Sequence, residues 1–386
     1  MDSRQIWVEV DLEAIAHNVK ELRRIASPKA RLMTVVKANA YGHGAIEVAN
    51  TAIRNGAEAL GVARIEEAIQ LRNAGIGASI LIFGFTPPEQ AKDLACFDLA
   101  QSVFSYRSAK MLSDMAVSLH RQIKIHVKVD TGMGRVGLLP LSPNDSISAS
   151  NRLDMVLKEI KTIDNLPGLE LEGVFTHFAT ADHADKSYAN MQFKLFKSIV
   201  GRLQHIGIQP VVAHAANSAA TIDLPRTHLD MVRPGISTYG LYPSDEVNKK
   251  DIVLKPALQW KTKIVQVKRV PPHFKVSYGC TFETKTATAI ATVPIGYADG
   301  LNRQLSSRGR MLVRGASAPI VGRVCMDLTM LDVGHIPGVE VEDEVVVIGT
   351  QGNQTITADE IASQLNTISH EIVSTITSRV PRFYPR

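Results

Sequence analysis

Cysteine is scarce in this chain. Cys96, Cys280 and Cys325 are the three in 386 residues, widely spaced and without a CxxC pair, which argues against a disulfide framework or a zinc site. Aromatic residues make up 5%, too few to suggest a row of base-stacking platforms. An excess of one charge is also missing. The 43 basic and 38 acidic residues leave a formal +5 spread along the chain. Such a balance speaks to solubility, not to a nucleic-acid footprint. No run of about 18 apolar residues exists, so no spanning helix is expected. The opening MDSRQIWVEVDL lacks the basic and apolar regions of a signal peptide. The expectation is a soluble cytoplasmic protein with no metal, no membrane and no nucleic-acid partner. At 45% hydrophobic content the chain can bury a sizeable core, and its length suggests two domains.

Between residues 30 and about 240, short apolar runs alternate with helix-like segments. The runs are RLMTVV, AEALGVA, ASILIFG, LAQSVF, IKIHVKV, LELEGVF, IQPVVAH and LDMVRPG. Stretches such as ARIEEAIQLRNAG and YANMQFKLFKSIVGRLQHIG separate them, with apolar positions recurring every three and four residues. Eight β-then-α units predict a (β/α)8 barrel, with a doubly wound open sheet as the competing architecture. After the polar linker SDEVNKKD the texture becomes β-rich: QWKTKIVQVKRV, TATAIATVPI, GRMLVRG, APIVGRVCM and EVVVIG, with Pro- and Gly-bearing turns between. The expected division is 1–245 for the barrel and 246–386 for a mostly β domain. The early strand IWVEVDL, within residues 1–12, is open to joining either. Thr357 before ADEIASQL is an expected helix N-cap.

Functional side chains of such barrels gather at the C-terminal ends of the strands, and polar residues crowd there. The first run ends in Lys37, Asn39 and Tyr41. The fifth ends in KVDTGMGRVG with Lys128, Asp130 and Arg135, and the sixth in THFATAD with His177. The seventh ends in HAANSAA with His214, Asn217 and Ser218, and the eighth in MVRPGIS with Arg233, Gly235 and Ile236. An amine at a barrel mouth can form a Schiff base with an aldehyde once desolvation lowers its pKa. A snorkelling lysine at a strand end is the bland alternative. Backbone N–H groups at Gly235 and Ile236, with hydroxyls from Ser218 and Tyr41, suggest an anion site. A lysine facing a phosphate site fits pyridoxal 5′-phosphate. Arg135 could fork to a carboxylate or hold a ring oxygen. His177 and His214 taken alone read as core histidines, His214 as support for its neighbours. Tyr278, in KVSYGCTF, reads alone as structural. Met326 and Asp327, in RVCMDLTM, are expected at the end of a strand.

VVKANAYGHG, VDTGMGRVG, HFATAD, ANSAA, RPGI, VSYG, PIGYADG and RVCMD occur in that order, and together they resemble the alanine racemases over essentially the whole chain. The resemblance implies a pyridoxal phosphate enzyme that racemises L- and D-alanine, supplies D-alanine for peptidoglycan, and works as a homodimer with shared active sites. Lys37 would carry the cofactor and act as the base on the D-alanine side. Tyr278, from the other subunit, would act on the L-alanine side. Met326 would also arrive from the partner, with Asp327 beside it, and contact the substrate carboxylate region. Arg135 would steady the cofactor and the substrate carboxylate. Lys128 matches a lysine often carbamylated in the family. Tyr41, Asn217, Ser218, Gly235 and Ile236 would hold the cofactor and its phosphate, with Arg233 at the pyridine nitrogen. Tyr297 would line the entrance. Free tyrosine has a pKa of about 10, so Tyr278 needs help to act as a base, and His177 with Arg233 is the expected relay.

One departure stands out. His370, in NTISHEIV, falls where many family members carry a tyrosine near the phosphate, which suggests a looser pocket and minor serine racemisation. Three rival readings share parts of this pattern. A barrel-type basic-amino-acid decarboxylase would need a cysteine-containing segment and a GGG loop, which the sequence lacks. A single-barrel pyridoxal phosphate carrier would lack residues 246–386. A broad-specificity racemase tends to be exported.

Overall fold

The computed structural model describes residues 4–140, 149–208 and 212–385. The chain forms two compact units, one of residues 13–40 and 45–255, the other of residues 1–12, 41–44 and 256–386.

The first unit is a closed parallel barrel. After β1 (Ile6–Val10), which belongs to the second unit, come β2 (Arg31–Val35), β3 (Ala59–Val62), β4 (Ser79–Ile82), β5 (Ala100–Val103), β6 (Ile123–Lys128), β7 (Leu169–Phe175), β8 (Val212–His214) and β9 (Met231–Val232). β9 pairs back onto β2 through Arg31 and Leu32, and that closure removes the open-sheet alternative. Amphipathic helices follow the strands, among them Ile65–Asn73, Tyr106–Ser118, Ala149–Asp164 and Ser187–His205. Met33, Ala59, Leu81, Ala100, Val212 and Met231 pack together as one apolar cluster, with Phe83 against it. Gly61 makes room for that ring, since a Cβ there would lie 2.6 Å from it.

The second unit is built on three sheets. β10 (Leu258–Lys263), β15 (Arg310–Val313), β16 (Ala316–Pro319), β18 (Glu344–Gln351), β19 (Gln354–Ile356) and β20 (Arg382–Phe383) join β1 in the largest. β1 lies between β10 and β20. β11 (Gln266–Val270), β14 (Thr288–Val293) and β17 (Thr329–Asp332) form the second, and the hairpin of β12 (Lys275–Val276) and β13 (Phe282–Glu283) the third. The structure departs from the sequence expectation at two places. QWKTKIVQVKRV is not one strand: the chain changes sheets at Ile264–Val265, where Ile264 N–H bonds Asp343 O beside β18 and Val265 N–H bonds Thr292 O within β14. Met326 and Asp327 do not end a strand either. They lie in a turn before β17 that the 2.9 Å bond from Cys325 N–H to Leu328 O closes, because Gly322, at φ 73°, already breaks the run after β16. Thr357 caps its helix as expected, accepting from Glu360 N–H at 3.0 Å. Among the described residues no helix is long and apolar enough to cross a membrane.

Candidate active site

Lys37 stands two residues past β2, and the backbone after it winds the wrong way. Ala38, Asn39, Ala40 and Tyr41 all have φ near +52°, a left-handed turn that costs L-residues roughly 1–2 kcal/mol each. The surroundings hold it. Ala40 N–H bonds Val36 O at 2.8 Å, Ala38 N–H bonds Glu67 Oε1 at 2.5 Å, and Asn39 Oδ1 accepts from Ala45 N–H at 2.9 Å. Glu67 also accepts from Ala63 and Arg64 N–H. Asn39 therefore shapes the turn, and Glu67, which sequence reasoning missed, anchors it.

The barrel mouth is strongly cationic. Burial, then the charge of Arg135, depresses the Lys37 amine, with Glu67 opposing. Burial, Arg135 and Arg233 lower Lys128 to about 8. Arg135 is placed by Asp130, whose carboxylate gathers the N–H groups of Gly132, Met133, Gly134 and Arg135 at 2.7–3.1 Å. Burial would raise the Asp130 pKa, but those four donors bring it below the usual value. The loop GMG folds round this carboxylate, with Gly132 at φ 130° and Gly134 at φ 71°.

Arg233 is 4% exposed. Its Nη1–H donates to His214 Nδ1 at 2.9 Å. Its Nη2 donates to Thr176 O at 2.9 Å and Ala215 O at 3.1 Å, and lies 3.4 Å from His177 Nδ1. Burial and then Arg135 lower it to about 9, so it stays charged at neutral pH. His177 and His214 are pushed well below the ordinary imidazole value by burial and then by Arg233, so both are neutral. The His214 ring stacks on Phe175 at 4.8 Å.

The ends of β8 and β9 bring Asn217, Ser218, Gly235 and Ile236 together. Asn217 caps the helix Ser218–Asp223 through Ala220 N–H. Gly235 N–H donates to Ser218 Oγ at 2.8 Å, which leaves the Ser218 hydroxyl proton to reach outward. Ile236 opens the 3-10 turn Ile236–Tyr239, which Tyr239 ties to the end of β2 by a 2.8 Å bond to Val35 O. Ser237 Oγ is buried with no hydrogen-bond partner among the described residues.

In the second unit three turns come together. Tyr297 and Ala298 N–H bond Cys325 O and Met326 O at 3.0 Å. Gly296 is required there, since a Cβ would lie 2.2 Å from Met326 O. Ser277, at φ 67°, donates to Arg323 O at 2.7 Å. Tyr278, Tyr297 and Met326 are all exposed, Tyr278 at 71%. Asp327 pairs with Arg379 at 2.7 Å. Tyr41 and His370 lie with ring centroids 6.1 Å apart.

The sequence profile of the alanine racemase N-terminal domain matches residues 10–243, and that of the C-terminal domain residues 257–384. The chain belongs to the alanine racemase family. It is 53% identical to an alanine racemase of Desulfosudis oleivorans over all of this chain and 97% of the relative. It is 47% identical to one of Methanococcus maripaludis over the full length of both. Among solved structures, an alanine racemase of Clostridium difficile superposes with a TM-score of 0.92 at 36% identity, covering 100% of this chain and 97% of that one. An alanine racemase of Bacillus anthracis with bound L-Ala-P gives 0.90 at 40% identity, covering 100% and 96%. The signals that reading the sequence missed are Glu67, the gathering role of Asp130, and the pair His126 and Glu172.

Proposed function

We propose that the protein interconverts L-alanine and D-alanine with pyridoxal 5′-phosphate, using Lys37 and Tyr278 as the two proton-transfer groups. The observation that carries this reading is the half-buried amine of Lys37, depressed by burial and the charge of Arg135, in the same group of cations as Lys128 and Arg233.

The residues present fit the cofactor. The orphaned Ser237 hydroxyl, the Ser218 hydroxyl and the turn at Gly235 and Ile236 suit a phosphate. A concentration of positive charge suits a dianion and a carboxylate. Lys37 would hold the aldehyde; Tyr41, Asn217, Ser218, Gly235 and Ile236 the phosphate; and Arg233 the ring nitrogen. When bound, the cofactor makes the Cα–H of an amino acid acidic enough to remove.

Racemisation needs a proton donor and acceptor on each face of Cα. Desolvation makes Lys37 a better neutral base than a free lysine. Arg233 cannot accept a hydrogen bond, so its approach to His177 Nδ1 leaves the imidazole proton on Nε2. That N–H can then support a phenolate, which is what a tyrosine base needs. Arg135 would bind the substrate carboxylate. Tyr278 and Met326, exposed on their turns, would serve the barrel of a second copy of the chain, with Tyr297 at the entrance. Lys128, neutral more readily than an ordinary lysine, is open to carbamylation. A histidine at 370 beside Tyr41 would leave room for slow serine turnover. The D-alanine would feed peptidoglycan.

The test is D-alanine formation from L-alanine by the purified, cofactor-loaded protein. Formation that stops with Lys37→Ala supports the reading, while cofactor bound with no D-alanine formed overturns it.

A further inference from the structure

A second line of polar groups runs down the inside of the barrel, away from the mouth. His214 Nε2 and His126 Nδ1 are 2.9 Å apart, and His126 Nε2 and Glu172 Oε2 are 3.0 Å apart. With the Arg233–His214 bond this makes an unbroken chain from Glu172 to Arg233. Glu172 and His126 line a small cavity of about 20 Å3 with Arg31, Met33, Ser79 and Met231, at the N-terminal end of the strands and opposite the mouth.

Two features show that the backbone is shaped for this line. The pairing of β6 with β7 slips at this point, Ile125 facing Leu171 and His126 facing Gly173. Glu172 is thus the extra residue of a bulge, a device that re-aims a side chain. Gly173 next to it leaves the space that the His126 ring occupies, since a Cβ there would lie 2.3 Å from His126 Nδ1.

The direction of every bond follows from the two ends. Arginine can only donate, so His214 Nδ1 accepts and its proton sits on Nε2. That N–H donates to His126 Nδ1, whose own proton therefore sits on Nε2 and donates to Glu172. An arginine at one end and a carboxylate at the other polarise the line in one sense.

We propose that Glu172 is a positioning residue of the active site, which accepts the His126 Nε2 proton, holds the His126–His214 pair in line behind Arg233 and so supports the charge of Arg233 at the mouth. A carboxylate at one end of the barrel thereby balances a cation at the other. The groups facing Arg233 are Arg135, Lys128, His177 and His214. Those facing Glu172 are His126, Lys124 and Arg31; Lys124 is also paired with Asp98 at 2.9 Å and feels Glu170. The active-site part of this proposal rests on the racemase reading above.

The test compares Glu172→Gln, which keeps an acceptor and loses the charge, with Glu172→Leu, which loses both. Nitrogen NMR of histidine-labelled protein reads the tautomers without activity. The pH profile of alanine racemisation reads the charge of Arg233. In the native protein His126 and His214 are expected purely as Nε2–H forms. Glu172→Gln should keep them while its alkaline limb moves to lower pH by about half a unit to one unit, one unit being tenfold in protonation. Glu172→Leu should leave the His126 Nε2 proton without its acceptor, read as an upfield shift and faster exchange with water, and show the same shift of the pH profile. A Glu172→Gln pH profile superimposable on that of the native enzyme overturns the proposal, as does Glu172→Leu with the His126 Nε2–H resonance unchanged. If the native protein does not racemise alanine, the functional reading fails, and the NMR comparison still decides whether Glu172 holds the His126 proton.

Discussion

The barrel mouth and the turn cluster of the second unit carry chemistry in opposite ways. At the mouth the reactive groups are buried or half-buried and feel one another's charge, and burial is the leading cause of the shifts at Lys37, Lys128, His177 and Arg233. In the second unit Tyr278, Met326 and Tyr297 are exposed on turns fixed by backbone bonds. Both regions hold strained backbone, at Ala38–Tyr41 and at Ser277, so strain alone does not distinguish them. The difference is electrostatic. A buried cluster sets its own protonation states, whereas an exposed side chain is positioned by its turn and takes its chemistry from whatever docks on it.

The sharpest way to break this comparison is Tyr278→Phe. Loss of one positioned acid–base group is expected to cost roughly 10²–10⁴-fold in racemisation. Unfolding stability should stay within about 0.5 kcal/mol, because the side chain is at the surface. A large loss of stability on denaturant unfolding would show that the tyrosine is structural after all.

Arg233→Lys should do the reverse and strike stability as well as rate. A lysine cannot reach His214, Thr176 O and Ala215 O together, and each buried acceptor left unpaired costs about 1–3 kcal/mol. Chemical denaturation measures this directly.

Lys128→Met probes burial without a hydrogen-bond network. A base whose pKa is lowered on folding to about 8 destabilises the charged native state below that pH. The penalty fades as pH rises toward the unfolded lysine value of about 10.4. The methionine variant is therefore expected to be the more stable protein at pH 7, with its advantage shrinking between about pH 8 and pH 10 in thermal melts. A difference independent of pH would mean that packing, not charge, governs the site.

The smallest expected effect is Thr357→Ala in the second unit, about 1 kcal/mol from the lost cap, with racemisation unchanged. An activity change there would link this helix to the turn cluster.

Much of the site was legible because strand ends in a parallel barrel are marked by a change of texture. Lys37, Arg135, His177 and Arg233 each follow an apolar run, and that pattern survives without coordinates. Glu172 and His126 were not legible. They sit inside strands β7 and β6, where alternation suggests ordinary facing, and a one-residue bulge leaves no mark in composition. Glu67 was hidden for a similar reason: it reads as one more acidic residue in the first turn of a helix, and its bond to Ala38 crosses between two βα units.

The sequence by itself determined the eight βα units, the β-rich second half and the polar residues past the strands, because periodicity and turn chemistry are local properties. Closure of the barrel, the passage of QWKTKIVQVKRV from one sheet to another, the left-handed turn after Lys37 and the line from Glu172 to Arg233 were decided by tertiary structure. Each depends on which groups meet across distant parts of the chain, and burial at those meetings sets both the hydrogen-bond direction and the charge.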